Sequence, residues 1–181
     1  MAEKHRANTA PPVRNVFLTG FMCAGKTLAG RALARALRRP FADTDALLAA
    51  RHGAPAAVLI KRRGLGAFRR LEAALVKELA GGSGRIVALG GGFYPSGARA
   101  GLLKKSGVTV FLACPWPELA KRLKAARGSR PLLAGPWALA GPRAKKLYAA
   151  RLPYYRLADL TVNTAGLTPA QTAAKIKRTI L

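Results

Sequence analysis

The 181-residue chain carries 32 Lys plus Arg against 7 Asp plus Glu, a formal net charge of +25, and half of its residues are hydrophobic. That length and apolar content predict one domain with an ordinary core, which excludes an intrinsically disordered chain. No uncharged apolar run approaches the roughly 18 residues of a membrane span, and two cysteines make neither a disulfide framework nor a metal cluster. Residues 1–14 are polar and basic without the apolar segment of a secretion signal, so a disordered tail is expected there. Reduced Cys23 and Cys114 fit a cytoplasmic protein best.

Asn15-Val16-Phe17-Leu18 reads as a strand that runs into Gly20, and Lys26–Leu37, rich in Ala, Leu and Arg, reads as a helix. Phe41-Ala42 is a short second strand ending at Asp43. Helical stretches follow at Asp45–Arg51, Pro55–Lys61 and Ala67–Leu79, the last with Phe68, Leu71, Leu75 and Leu79 on one face. Ile86–Leu89 is a continuous apolar run suited to a parallel strand buried on both faces, and three glycines stop it. Ser96–Lys104 is predicted as a helix, Val108–Leu112 as a strand and Pro117–Lys124 as a helix. The stretch from 125 to 142, dense in Gly, Pro and Arg, reads as a mobile loop. A helix over Arg143–Arg151, a strand at Leu160–Val162 and a helix over Pro169–Ile180, capped by Thr168, complete the chain. This alternation predicts an α/β domain with a parallel sheet covered by helices on both faces.

Gly20-Phe21-Met22-Cys23-Ala24-Gly25-Lys26-Thr27 matches the phosphate-binding pattern G-x-x-x-x-G-K-[ST], with a strand before it and a helix after it. Glycines let backbone N–H groups wrap an anion, and the helix N-terminus adds partial positive charge. Lys26 is placed to reach the β- and γ-phosphates, and the Thr27 hydroxyl to ligate Mg²⁺. ATP is therefore expected against Gly20, Cys23, Ala24, Gly25, Lys26, Thr27 and Leu28.

Phosphoryl transfer usually needs a second acid to hold or orient Mg²⁺. The apolar strand that could carry it ends in Gly90, so the pair Asp43 and Asp45, at a strand end facing the ligand crevice, is left to supply it. The competing reading makes Asp45 only a helix cap. Among many arginines, Arg69 and Arg70 after Phe68, Arg130 before Pro131-Leu132-Leu133, and Arg151 before Leu152-Pro153 stand out as candidates for carboxylate or phosphate binding. Gly90-Gly91-Gly92 allows close approach by a ligand.

Taken in order, Gly20–Thr27, Asp43-Thr44-Asp45, Phe68-Arg69-Arg70 with Glu72, Gly90-Gly91-Gly92, Arg130-Pro131-Leu132-Leu133, and Arg151 with Tyr154 resemble the shikimate kinase family. The resemblance implies a three-layer sandwich with a five-stranded parallel sheet. It makes residues 15–181 a single P-loop kinase domain, with a lid at about 125–141. It implies ATP-dependent phosphorylation of the shikimate 3-hydroxyl to give shikimate 3-phosphate and ADP. By position, Asp45, Arg69, Gly90, Gly91, Gly92 and Arg151 match shikimate-binding residues. Arg69 and Arg151 would grip the substrate carboxylate. Lys26, Asp45 and Arg130 would be catalytic, and Asp43 would hold Mg²⁺ through water. Arg130 would also reach the ATP phosphates, and Arg122 would stack on adenine.

Two departures are visible. Gly64-Leu65 stands where the family has Gly-Glu, and Leu48-Ala49 where it has an acid. Alternatives are a P-loop kinase for another small polar acceptor, such as gluconate or a nucleotide, and a nonspecific nucleic-acid-binding protein. The basic residues are scattered in ones, twos and threes, and aromatics make up only 7% of the chain. Nucleic-acid binding without sequence preference, weak and salt-sensitive, is therefore the most that is expected. A monomer without a membrane partner is expected.

Overall fold

The computed structural model describes residues 13–94, 96–126 and 133–181. Most of the predicted tail (1–12) and the centre of the predicted lid (127–132), Arg130 included, lie outside the described residues. Strands β1 (Asn15–Thr19), β2 (Phe41–Asp43), β3 (Ile86–Ala88), β4 (Gly107–Ala113) and β5 (Leu160–Asn163) form one sheet in the order β2-β3-β1-β4-β5. Every pairing is parallel, with Val16 between Ile86 and Val108. Val16, Phe17, Leu18, Val87 and Val110 are buried, as expected of central strands covered on both faces.

Helices α1 (Lys26–Leu37), α2 (Thr44–His52), α3 (Ala56–Ala80), α4 (Gly97–Ser106), α5 (Trp116–Ala125), α6 (Trp137–Tyr155) and α7 (Pro169–Ile180) complete the domain. Right-handed crossovers fix their layers. The connection from β1 runs leftward to β2 and that from β3 runs rightward to β4, so α1 and α4 cover opposite faces. Their divergence opens a crevice at the carboxyl ends of β1 and β3, where α/β sheets bind ligands.

Two elements and one residue of the predicted tail differ from the sequence reading. The two helices expected at Pro55–Lys61 and Ala67–Leu79 are one 25-residue element, broken in backbone only at Gly64 (φ 79°, ψ 157°). Helix α6 begins at Trp137, well inside the stretch read as loop, and carries Pro142 and Pro153 within it. Its first turns are held by packing, since Ala140, Gly141 and Ala144 are buried and the Trp137 ring lies against Gly141. Tertiary contact overrides the Gly-Pro punctuation there. Arg14, assigned to the tail, donates to the carbonyls of Lys104 (3.1 Å) and Gly107 (2.8 Å) and so is tied to the start of β4.

Candidate active site

The loop between β1 and α1 turns on left-handed backbone at Gly20 (φ 140°), Cys23 (φ 61°) and Gly25 (φ 93°). Glycine adopts such angles freely; Cys23 is the strained position of the three. Lys26 Nζ donates to the carbonyls of Gly20 (2.9 Å) and Phe21 (3.0 Å), which keeps the ammonium at the mouth of the loop.

Thr27 Oγ1 donates to Asp43 Oδ2 at 2.6 Å. The other carboxylate oxygen of Asp43 accepts from the backbone N–H groups of Asp45 (3.0 Å) and Ala46 (3.2 Å). Asp43 is thus the N-cap of α2, and Asp45 lies in its first turn. The cap role weighed for Asp45 belongs to Asp43, because an N-cap needs the extended backbone that the end of β2 provides. Thr44, between them and fully buried, accepts from Gly90 N–H at 2.8 Å and pins α2 to the glycine run.

That run is the floor on which charged side chains converge. A Cβ on Gly90 would fall 2.6 Å from Asp45 Oδ1 and 2.7 Å from Glu72 Oε1, and one on Gly92 would fall 2.1 Å from the Arg69 guanidinium. A side chain at Gly90 or Gly92 would therefore have to push these charged groups aside. Glu72, 1% exposed, pairs with Arg69 one turn away on α3. Burial pushes its carboxyl above the usual range, the hydrogen bond and charge of Arg69 pull it back, and the charge of Asp45 adds to the rise. From the other side, Arg151 Nη1 and Tyr155 Oη both donate to the Gly91 carbonyl, at 3.0 and 2.6 Å. Burial raises the Tyr155 phenol to about 12, against the opposing charge of Arg151. Arg151 also lies over the Phe21 ring, 5.9 Å from its centroid.

Two cavities flank the loop. One of about 260 Å³ is lined by Met22, Lys26, Thr27, Asp43, Asp45 and Gly91. The other, about 240 Å³, lies between Cys23, Leu28, Arg122, Leu167 and Pro169. Cys23, Gly25 and Leu28 wall both. Arg122 is held on α5 by Glu118 at 2.8 Å.

A family model described as "Shikimate kinase" matches residues 22–181. The chain belongs to the shikimate kinase family. A shikimate kinase of Geobacter sulfurreducens is 42% identical over 156 residues, covering 84% of this chain and 83% of the relative. One from Moorella thermoacetica is 36% identical over 92% of this chain and 94% of its own. Among solved structures, shikimate kinase from Acinetobacter baumannii in complex with shikimate superposes with a TM-score of 0.85, at 31% identity and 93% coverage of both chains. The family's five-stranded parallel architecture is the one found here.

Of the residues singled out in the sequence, the fold brings together Lys26, Thr27, Asp43, Asp45, Arg69, Gly90, Gly91, Gly92 and Arg151 at one end of the sheet, with Arg122 beside the second cavity. Thr44 and Tyr155 were missed. Tyr155 had a readable signal, since it follows Arg151 by four residues on the same helix face; Tyr154, named with Arg151, is 40% exposed. Among the two departures from the family pattern, Leu65 is exposed beside the Gly64 break and Ala49 is half-buried on α2. Among the described residues no group of three His, Cys, Asp or Glu side chains is arranged to hold a metal ion alone, and no helix is long and apolar enough to cross a membrane.

Proposed function

We infer that this chain transfers the γ-phosphoryl group of ATP to the 3-hydroxyl of shikimate. The observation that carries the reading is the convergence of Arg69, Arg151, Asp45 and Glu72 on Gly90-Gly91-Gly92, next to a phosphate loop. Shikimate offers one carboxylate and three ring hydroxyls, a set matched by cations on one side and acceptors on the other. ATP phosphates are assigned to the Lys26–Thr27 cavity, and the adenine to the cavity at Arg122.

Mg²⁺ fits the residues present, because Thr27 and Asp43 bring a hydroxyl and a carboxylate together beside the loop. A hard cation takes such oxygen donors and fills its remaining positions with water and phosphate. Bound there, the ion neutralises charge on the phosphates. The protein's own part is positioning and electrostatics. Lys26 binds the β- and γ-phosphate oxygens, exchanging carbonyl partners for phosphate ones. Asp45 orients the acceptor hydroxyl and takes its proton, while Arg69 and Arg151 hold the carboxylate. Arg130 is assigned to the transferring phosphate by its place in the family motif.

A coupled ADP-release assay over shikimate, gluconate and nucleoside monophosphates tests the reading. Turnover with shikimate is expected, and faster turnover with either competitor overturns it. Gly92→Ala, whose methyl group would displace the Arg69 guanidinium, is expected to raise the KM for shikimate and leave that for ATP unchanged.

A further inference from the structure

We propose that the amino end of the sheet, opposite the active site, is a docking surface for the phosphate backbone of nucleic acid. In a βαβ fold with short connections every helix ends where the next strand begins, so helix C-terminal cations and pre-strand residues collect at one end. Here cations predominate, with Asp159 held by Lys104 and Glu78 by Arg51 as the acids of this end. Arg39 stands within two residues of the start of β2, Arg85 of β3, Arg14 of β1 and Lys105 of β4. These are four neighbours in the sheet. At about 4.8 Å per strand the row is about 14 Å long. Along the axis of a duplex that length spans about four base pairs.

Beside the row, an open concavity of about 470 Å³ is lined by Arg31, Arg35, Arg38, Arg39, Pro40 and Phe41. Among the described residues no ion pair engages any of these four arginines, or Arg14 or Arg85. The arginines that are held meet main-chain carbonyls instead. Arg39 donates to Gly84 (2.7 Å) and Arg85 (3.4 Å), and Arg14 to Lys104 and Gly107. A carbonyl orients a guanidinium without neutralising it, although Arg85 also lies near enough to Glu78 to favour that carboxylate's charge. Helix dipoles account for Arg35, Lys104 and Lys105 in last turns, and main-chain carbonyls hold Arg14 and Arg39, which leaves Arg31, Arg38 and Arg85 without a carbonyl or carboxylate partner among the hydrogen bonds and ion pairs described. Cations gathered along one edge, beside an arginine-lined concavity, complement a polyanion. No exposed aromatic ring lies among these residues, so bases would not be read.

The test is fluorescence anisotropy with a labelled 20-base-pair duplex of random sequence, titrated across salt, on the full chain. Replacing Arg31, Arg35, Arg38 and Lys105 by Gln is expected to weaken binding at least tenfold near 100 mM salt. It should also lower the log–log salt slope by about 3. Removing the same charge elsewhere, at Arg62, Arg63, Lys145 and Lys146, is expected to weaken binding less than threefold. Thermal melts verify that both variants fold. Equal weakening by the two variants overturns the proposal in favour of diffuse charge. Displacement of the duplex by ATP–Mg²⁺ overturns it in favour of the phosphate loop. Retention by phosphatidylserine vesicles, with no duplex binding, overturns it in favour of a membrane.

Discussion

Glu72, buried at the carboxyl ends of the strands, and Asp159, exposed at their amino ends, have acidities that move in opposite directions. Burial dominates at Glu72 and raises it. Burial also opposes ionisation of Asp159, but the Thr109 hydroxyl (2.6 Å), the Thr109 N–H (2.8 Å) and the charge of Lys104 outweigh it, and the carboxyl falls below its usual value. The contrast separates two uses of charge. At the amino end the main chain and a threonine satisfy the anion, and it serves to tie β5 to β4. At the carboxyl end the charged groups are held close to one another, poised for a ligand that brings further partners.

The comparison is sharpened most by the acids of the active end. Asp45→Asn is expected to cost roughly 10²–10⁴-fold in kcat if the carboxylate takes the hydroxyl proton. Titration calorimetry should show ATP binding intact. Asp43→Asn keeps an N-cap for α2, since Asn caps as well as Asp, so a loss confined to Mg²⁺ dependence with shikimate affinity unchanged isolates the metal role. Identical defects in the two variants would break the division of labour.

Next in size is Arg69→Ala, expected to weaken shikimate binding by about 2–5 kcal/mol, as when one partner of a buried charge pair is lost. Exposed Arg70 serves as the control. Unchanged shikimate affinity in Arg69→Ala would defeat the substrate assignment.

Smaller effects test the two acidities directly. The depressed Asp159 stabilises the fold above the ordinary carboxylate range, and that contribution is lost as pH falls through its native value. Thr109→Val is therefore expected to cost about 1 kcal/mol at pH 7, with a smaller difference in acid denaturation midpoints below pH 4. The raised Glu72 works the other way. Its contribution is complete below the ordinary range and lost as pH rises through the native value, so Glu72→Gln should flatten the decline of stability above the ordinary carboxylate range. Parallel pH profiles for the two variants would erase the contrast. Smallest of all is Arg51→Ala, which breaks an exposed pair with Glu78 and should leave the melting temperature unchanged.

The order of strands and helices was readable because the apolar runs at β1, β3 and β4 are buried on both faces and stand between clear turns. The phosphate-loop pattern and the acids at β2 were visible by their spacing, and the fold brings them to one cavity. What escaped depended on contacts between distant segments. The start of α6 rests on packing that its Gly-Pro sequence argues against. Thr44 matters through Gly90, and Tyr155 through Gly91. The basic row was invisible for the same reason: Arg14, Arg39, Arg85 and Lys105 become neighbours only through the strand order.

That order also bears on how the chain is made. Of the five strands of the sheet, the one made earliest, Asn15–Thr19, lies in its middle, and its two neighbours are Ile86–Ala88 and Gly107–Ala113. Val16, Phe17 and Leu18 must wait for residues far along the chain before both their edges are hydrogen-bonded. Such non-local pairing slows folding and leaves an apolar strand open to wrong partners during synthesis. Truncations ending before β4 are therefore expected to aggregate or recruit chaperones, whereas chains extended past Ala113 can close around their own centre.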